Sequence, residues 1–143
     1  MNKQVDISID DLAEPLTYPV EAFISPEYAK AERELLWPKV WQMAGRLEDI
    51  PEGGPTKLRL GTNELAVVRN GDAILAVHAQ CAHAGGPLAE GSVVDGQIQC
   101  PWHGSRFRLE NGHVSRGPAM YDQPAYEVRR AEAGGWEARR VFR

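Results

Sequence analysis

The sequence contains few cysteines. Only Cys81 and Cys100 occur among its 143 residues, so at most one disulfide can form. A chain of this length can bury a sizeable hydrophobic core without a disulfide to support it. The residues that flank each cysteine are therefore a better guide to its role than the possibility of a pair.

The sequence also lacks long apolar runs and blocks of basic residues. No stretch approaches the roughly 20 apolar residues needed to cross a bilayer. The segment from Met1 to Asp11 has neither the basic start nor the apolar run of a secretory signal. We therefore expect a cytoplasmic protein with no membrane contact. A formal net charge of −4 without a Lys/Arg cluster also argues against nucleic acid as a partner.

The composition is that of an ordinary globular protein. Hydrophobic residues make up 43% of the chain and charged residues 25%, which excludes disordered and fibrous classes. A length of 143 residues suits one globular unit. No internal repeat or low-complexity segment occurs, and we expect the partners to be proteins.

The N-terminal part of the chain is predicted to form an irregular arm followed by a helix. Ser25, Pro26 and Glu27 make a favourable helix start, because they supply a capping hydroxyl, a proline in the first turn and a carboxylate near the positive end of the dipole. The helix is predicted to run toward Trp37, since Pro38 disfavours helical geometry in the residue before it.

The remainder of the chain is predicted to form short strands separated by turns. Asn70-Gly71 is a strong signal for a two-residue hairpin turn. The predicted strands cover residues 41–47, 57–60, 65–69, 73–77, 93–94, 97–99, 106–109, 126–130 and 136–141. Many short strands at such intervals predict a mostly β fold, an antiparallel β-sandwich or barrel with one N-terminal helix against it.

Two short segments carry the residue types that bind metal. Cys81-Ala82-His83 and Cys100-Pro101-Trp102-His103 each supply one sulfur and one imidazole, and 16 residues separate them. In an extended segment, residues i and i+2 project to the same side about 6 to 7 Å apart, so Cys81 and His83 can reach two neighbouring irons. Two thiolates on one iron and two imidazoles on the other hold a Rieske-type [2Fe-2S] cluster. We expect one such cluster and no catalytic residue.

The choice of ligands has an electrostatic consequence. Two ferric ions, two sulfides, two thiolates and two neutral imidazoles have no net charge, whereas four thiolates would leave a dianion. A neutral cluster accepts an electron more readily, which raises the reduction potential to about −150 to +300 mV, against about −400 mV for plant-type ferredoxins. A zinc site of two cysteines and two histidines uses the same residue types, although Cys-x-His is an unusual spacing for zinc.

The residues around the ligands form whole motifs. The segments 83–88 (HAGGPL) and 100–107 (CPWHGSRF) resemble those of the Rieske family, and Gly-Pro-Ala at 117–119 resembles its third loop. The resemblance is to soluble Rieske ferredoxins and to the Rieske domains of ring-hydroxylating oxygenase α subunits. It implies a Rieske-type antiparallel β-sandwich at residues 40–143, with a small cluster-binding subdomain at about 79–121, after an arm and helix at 1–39.

The resemblance also implies roles for four neighbours of the ligands. Gly86 and Trp102 stand where respiratory Rieske proteins carry a cysteine pair, so that disulfide is absent here. Ser105 matches a position whose hydroxyl hydrogen-bonds a sulfide in the respiratory type and stabilises the reduced cluster. Pro118 belongs to the loop that covers the cluster. A missing disulfide favours a low potential and a serine a higher one, so the potential stays open.

Three functions are consistent with these features. We expect a carrier that transfers single electrons from a flavin-dependent reductase to a terminal oxygenase. An oxygenase component or subunit is the alternative, because the segment from Phe23 to Gly45 resembles the lead-in of an oxygenase α subunit. A redox or iron-sulfur sensor is the third possibility. The oligomeric state is not predicted. His78 is interpreted as structural and His113 as a surface hairpin residue, and neither as a ligand of a second iron.

Overall fold

The protein contains two antiparallel sheets. The computed structural model describes residues 19–132 and 134–141. Ten strands lie within these residues, and the loops between them carry the predicted ligands. The strands are β1 (Gln42–Gly45), β2 (Thr56–Leu60), β3 (Asn63–Asn70), β4 (Ala73–His78), β5 (Ser92–Val94), β6 (Gln97–Gln99), β7 (Arg106–Arg108), β8 (Val114–Arg116), β9 (Ala125–Arg130) and β10 (Trp136–Arg140).

The larger sheet is the base of the molecule. Its six strands lie in the order β1-β10-β9-β4-β3-β2, and every neighbouring pair is antiparallel. The predicted hairpin turn joins β3 to β4, with Asn70 opposite Ala73. The expectation of a mostly β fold of antiparallel sheets is confirmed.

The smaller sheet carries most of the segment predicted to bind the cluster. Its strands lie in the order β5-β6-β7-β8, all antiparallel. The first ligand segment follows β4 of the large sheet, and the second joins β6 to β7. Strand β8 was not predicted, because Val114 is the one apolar residue in a strand of three residues.

The hydrophobic core lies on both faces of β3. Ala66 and Val68 pack with the smaller sheet and the two cysteines. Leu65 and Val67 point to the opposite face and pack with Trp136. Successive side chains of a strand alternate between faces, so the apolar run 65–68 shows that β3 is buried on both sides.

The N-terminal helical segment consists of short pieces. A first turn, α1 (Glu21–Ile24), precedes α2 (Pro26–Ala31), and the Ser25 hydroxyl accepts a hydrogen bond from the Glu27 N–H at 3.2 Å. The predicted cap is therefore present. The chain continues in a wider π-helical turn (Glu32–Leu36) and a 3₁₀ turn (Trp37–Lys39). The regular α-helix thus ends earlier than predicted, but the backbone keeps helical dihedral angles up to Trp37, the residue before Pro38.

The predicted irregular arm is largely outside the described residues, which begin at residue 19. No helix in the described part of the chain is long and apolar enough to span a membrane.

Candidate metal centre

The two cysteines lie together in the core between the sheets. Cys81 and Cys100 are 4% and 2% exposed, and neither forms a disulfide. Burial raises the pKa of the Cys81 thiol, and the neighbouring Cys100 side chain, within hydrogen-bonding distance, raises it further. The backbone N–H groups of His83 and Ala84 point at the Cys81 sulfur and offset part of this effect. The pocket therefore disfavours a bare thiolate at Cys81, a cost that a bond to a metal would offset.

The two predicted histidine ligands lie together on the surface. The rings of His83 and His103 meet edge to face, with their centroids 4.9 Å apart and their planes at 88°. Both residues are exposed, in contrast to the buried cysteines. The Trp102 ring stands at 90° to that of His103 at 6.3 Å. The four predicted ligands thus form a buried thiol pair and an exposed imidazole pair.

The first ligand loop, residues 81–86, is closed by two backbone hydrogen bonds. The N–H of Cys81 donates to the carbonyl of Gly86 at 2.8 Å, and the N–H of Gly85 donates back to the carbonyl of Cys81 at 2.8 Å. These bonds fix the turn that holds His83.

The second ligand loop, residues 100–105, has the same pattern of hydrogen bonds. The N–H of Cys100 donates to the carbonyl of Ser105 at 2.9 Å, and the N–H of Gly104 donates to the carbonyl of Cys100 at 3.1 Å. Gly104 has a φ of +73°, as does Gly85 in the first loop, a region that L side chains rarely adopt. The sequence AGG after His83 and the sequence GS after His103 therefore produce two loops of the same design.

Gly86 brings the two loops into contact. A Cβ atom at this position would lie 2.7 Å from the Cys100 sulfur and 3.2 Å from the Trp102 ring. No side chain fits without displacing the loops. The packing at Gly86 therefore leaves no room for a cysteine side chain.

A third loop is attached to the second by Ser105. The hydroxyl oxygen of Ser105, which is fully buried, accepts a hydrogen bond from the N–H of Ala119 at 3.0 Å. The peptide bond between Gly117 and Pro118 is cis, and Pro118 is exposed. Of the four predicted neighbours, Ser105 therefore has the clearest structural connection between loops.

The donor set fits a binuclear cluster. Among the described residues, no three His, Cys, Asp or Glu side chains converge on a single ion position. The donors instead form two pairs of like kind, thiol with thiol and imidazole with imidazole. A [2Fe-2S] cluster of Rieske type needs this division, because each iron takes one pair.

Comparison with known proteins indicates the same cofactor. A family model described as Rieske [2Fe-2S] domain matches residues 40–127, more than half of the chain. The chain belongs to the Rieske family. Its cofactor is accordingly a [2Fe-2S] cluster of Rieske type.

Relatives of this Rieske protein include both small ferredoxins and larger oxygenases. It is 30% identical to the anthranilate 1,2-dioxygenase ferredoxin subunit of Burkholderia cepacia, over 62% of this chain and 82% of that one. A similar solved structure is described as a complex of reduced oxygenase and oxidized ferredoxin in carbazole 1,9a-dioxygenase. Its matching chain is 27% identical, with a TM-score of 0.63, and the match covers 73% of this chain and 99% of that one. Apo dicamba monooxygenase is 26% identical, with a TM-score of 0.60, over 71% of this chain and 33% of that one.

Two other histidines lie apart from the ligand pairs. The His78 ring nitrogen accepts a hydrogen bond from the Gln80 N–H at 3.2 Å, at the end of β4. His113 pairs with the carboxylate of Asp122, a partner that the sequence did not indicate. Sequence reasoning also missed Gln123, whose buried amide contacts the first ligand loop.

Proposed function

We propose that Cys81 and Cys100 bind one iron of the cluster and that His83 and His103 bind the other. The division of these residues into a buried thiol pair and an exposed imidazole pair supports the assignment. We also propose that residues 40–143 form the Rieske domain, with the cluster-binding subdomain at about 79–121 and a separate N-terminal arm and helix at 1–39.

The function that we propose is single-electron transfer. A bound Rieske cluster supplies a one-electron couple. In this chain the cysteines are shielded by the core, whereas His83 and His103 are exposed. A redox partner could therefore approach the imidazole edge without any part of the fold opening. This exposure of the histidine pair is the observation that carries the proposal.

We propose that the donor is a flavin-dependent reductase and the acceptor a terminal oxygenase, in the cytoplasm. Similarity to ferredoxin subunits of dioxygenase systems supports this pairing. In this scheme the protein forms no product of its own.

A redox titration tests the proposal. The purified, cluster-containing protein is expected to take up a single electron reversibly, and its visible absorbance should follow a one-electron Nernst curve. Reduced protein mixed anaerobically with a Rieske oxygenase should then be reoxidised while the oxygenase becomes reduced. Irreversible reduction, or reoxidation at the same rate without an acceptor, would exclude the carrier role.

An oxygenase subunit is the second candidate, because the N-terminal helical segment is unusually apolar at its surface. Phe23, Ile24 and Leu35 are 77%, 73% and 62% exposed. This segment precedes the residues matched by the family model. Exposed apolar clusters of this kind mark protein interfaces.

Association with a catalytic chain distinguishes the two candidates. A subunit would elute with its oxygenase in equal amounts at low concentration, and Phe23→Ser would separate the two whereas the neighbouring exposed change Glu21→Ser would not. A carrier would elute alone and support many turnovers when present at a small fraction of the oxygenase concentration.

A further inference from the structure

Gln123 is a buried amide that spans the base of the first ligand loop. Its side chain is almost completely enclosed, with 2% of the residue exposed. The Oε1 atom accepts a hydrogen bond from the N–H of Ala82 at 2.8 Å. The Nε2 group donates to the carbonyls of His78 and Gln80 at 2.8 and 2.6 Å. Its three partners therefore flank Cys81 on both sides.

The orientation of this amide is fixed by its partners. Both Nε2 hydrogens are used on carbonyl oxygens, and the oxygen faces an N–H. A flipped amide would place its oxygen against two carbonyls and its nitrogen against a donor, so it would lose all three bonds. A single arrangement of the side chain, and hence of residues 78–82, satisfies every group.

The backbone of Gln123 is itself anchored. Its N–H donates to the carbonyl of Gly112 at 2.8 Å, and the carbonyl of the next residue, Pro124, accepts from the N–H of His78 at 2.8 Å. The side chain thus reaches the loop from a fixed point between the β7–β8 turn and the end of β4. Because its backbone is fixed, the Gln123 side chain can hold the first ligand loop in place, which a side chain on an unanchored loop could not do.

We propose that Gln123 is a positioning residue that fixes the first ligand loop and so holds Cys81 and His83 in their ligating geometry. This inference rests on the ligand assignment proposed above. The three hydrogen bonds of the Gln123 side chain end on the backbone at His78, Gln80 and Ala82, so Gln123 acts on the ligands through the loop. Partners that orient metal ligands typically change metal affinity 10- to 100-fold when they are removed, about the effect expected here.

The test compares Gln123→Met with a destabilised control. Methionine keeps a long unbranched side chain but removes all three hydrogen bonds to the loop. Val67→Ala creates a cavity in the core cluster on the opposite face of β3, which contains no residue of the ligand loops. Both variants are purified with the cluster in place. For each, the EPR spectrum of the reduced protein, the rate of iron release to a chelator and the urea unfolding curve are measured.

Gln123→Met is expected to release iron about 10-fold faster or more than the wild type, with a broadened or shifted EPR spectrum. Val67→Ala is expected to lose stability yet keep the wild-type spectrum and release rate. A Gln123→Met protein that matches the wild type in both readouts would overturn the proposal. So would a Val67→Ala protein that changes both readouts as much as Gln123→Met does.

Gln123→Glu covers the case in which Gln123→Met does not fold. The carboxylate keeps the acceptor for the Ala82 N–H but sets its second oxygen against the two carbonyls that Nε2 had bonded. Iron release faster than in the wild type supports the proposal, and a wild-type rate overturns it. The EPR spectrum of the wild type tests the ligand assignment separately from the role of Gln123. If the wild type lacks a Rieske signal, the assignment fails; if the wild type shows the signal and both variants match it, only the role of Gln123 fails.

Discussion

The rings of His83 and His103 meet edge to face, with centroids 4.9 Å apart, although they belong to different loops. Both are exposed, whereas the sulfurs of Cys81 and Cys100 are in the core. The centre therefore has a polar edge at the surface and a thiol side closed to water.

Replacing His103 with Cys is expected to lower the reduction potential. A thiolate adds a negative charge where a neutral imidazole stood, so adding an electron becomes less favourable and the potential moves toward the value of about −400 mV found for four-thiolate clusters. Protein-film voltammetry measures the shift. His113→Asn, which alters a histidine away from the ligand pairs, should leave the potential unchanged. A cluster-containing His103→Cys protein with the wild-type potential would contradict the assignment.

Replacing Gly86 with Ala is expected to reduce cluster loading. The added Cβ would lie 2.7 Å from the Cys100 sulfur, and relieving that overlap has a cost of about 1–3 kcal/mol in well-packed sites. Iron content per chain and visible absorbance report the loss. Gly54→Ala is the matched control, because a Cβ there meets nothing within 4 Å. Equal iron content in the two variants would show that the close approach at Gly86 is unimportant.

The four proposed ligands could be selected from the sequence because the pattern that indicates them is local. Cysteine and histidine at i and i+2, then again at i and i+3, with glycines after each pair, place two donors on each of two tight loops. The contacts that support the loops were not predictable. Gln123 stands 41 positions from Ala82, in a polar stretch with no periodicity, and its role depends on how β9 and β4 come together in three dimensions.

Replacing Ser105 with Ala is expected to destabilise the fold. The change removes the acceptor for the Ala119 N–H in a fully buried site, and an unpaired buried donor costs about 1–3 kcal/mol. Urea unfolding of the cluster-containing protein measures the difference. Ser92→Ala, at an exposed serine on β5, should change the free energy of unfolding by less than about 0.5 kcal/mol. Equal effects at the two serines would argue against the loop connection.

The buried hydroxyl of Tyr126 is expected to lower the free energy of unfolding at alkaline pH. Its hydroxyl is buried without a hydrogen-bond partner among the described residues, and burial raises its pKa, partly offset by the charge of Arg140. Above about pH 10 the unfolded chain releases a proton that the folded chain retains, so the free energy of unfolding falls as pH rises through this range.

Tyr126→Phe is expected to weaken this decline and to add about 1 kcal/mol of stability at neutral pH, because it removes an unsatisfied hydroxyl. Urea unfolding at about pH 8 and about pH 11 measures both effects. Tyr121→Phe, at an exposed tyrosine, serves as the control. Parallel pH profiles for wild type and Tyr126→Phe would contradict the explanation.

Most strands of the fold could also be predicted from local sequence, whereas their pairing could not. Turn residues such as Asn70-Gly71 fix where strands end, and most strand positions followed from them. Strand β8 escaped prediction because three residues with one apolar side chain have no periodicity of their own. It forms because β7 offers it a partner, with Phe107 opposite Val114. The order of strands in the large sheet likewise depends on pairing between distant segments.

The central claim is that Cys81, His83, Cys100 and His103 hold one Rieske cluster. EPR of the anaerobically reduced protein, with iron counted on the same sample, tests it most directly. We predict a rhombic Rieske signal with about two irons per chain in the wild type, and loss of that signal in Cys81→Ser and Cys100→Ser while His78→Asn retains it. A wild-type protein that carries zinc, or that is reduced without this signal, would contradict the account.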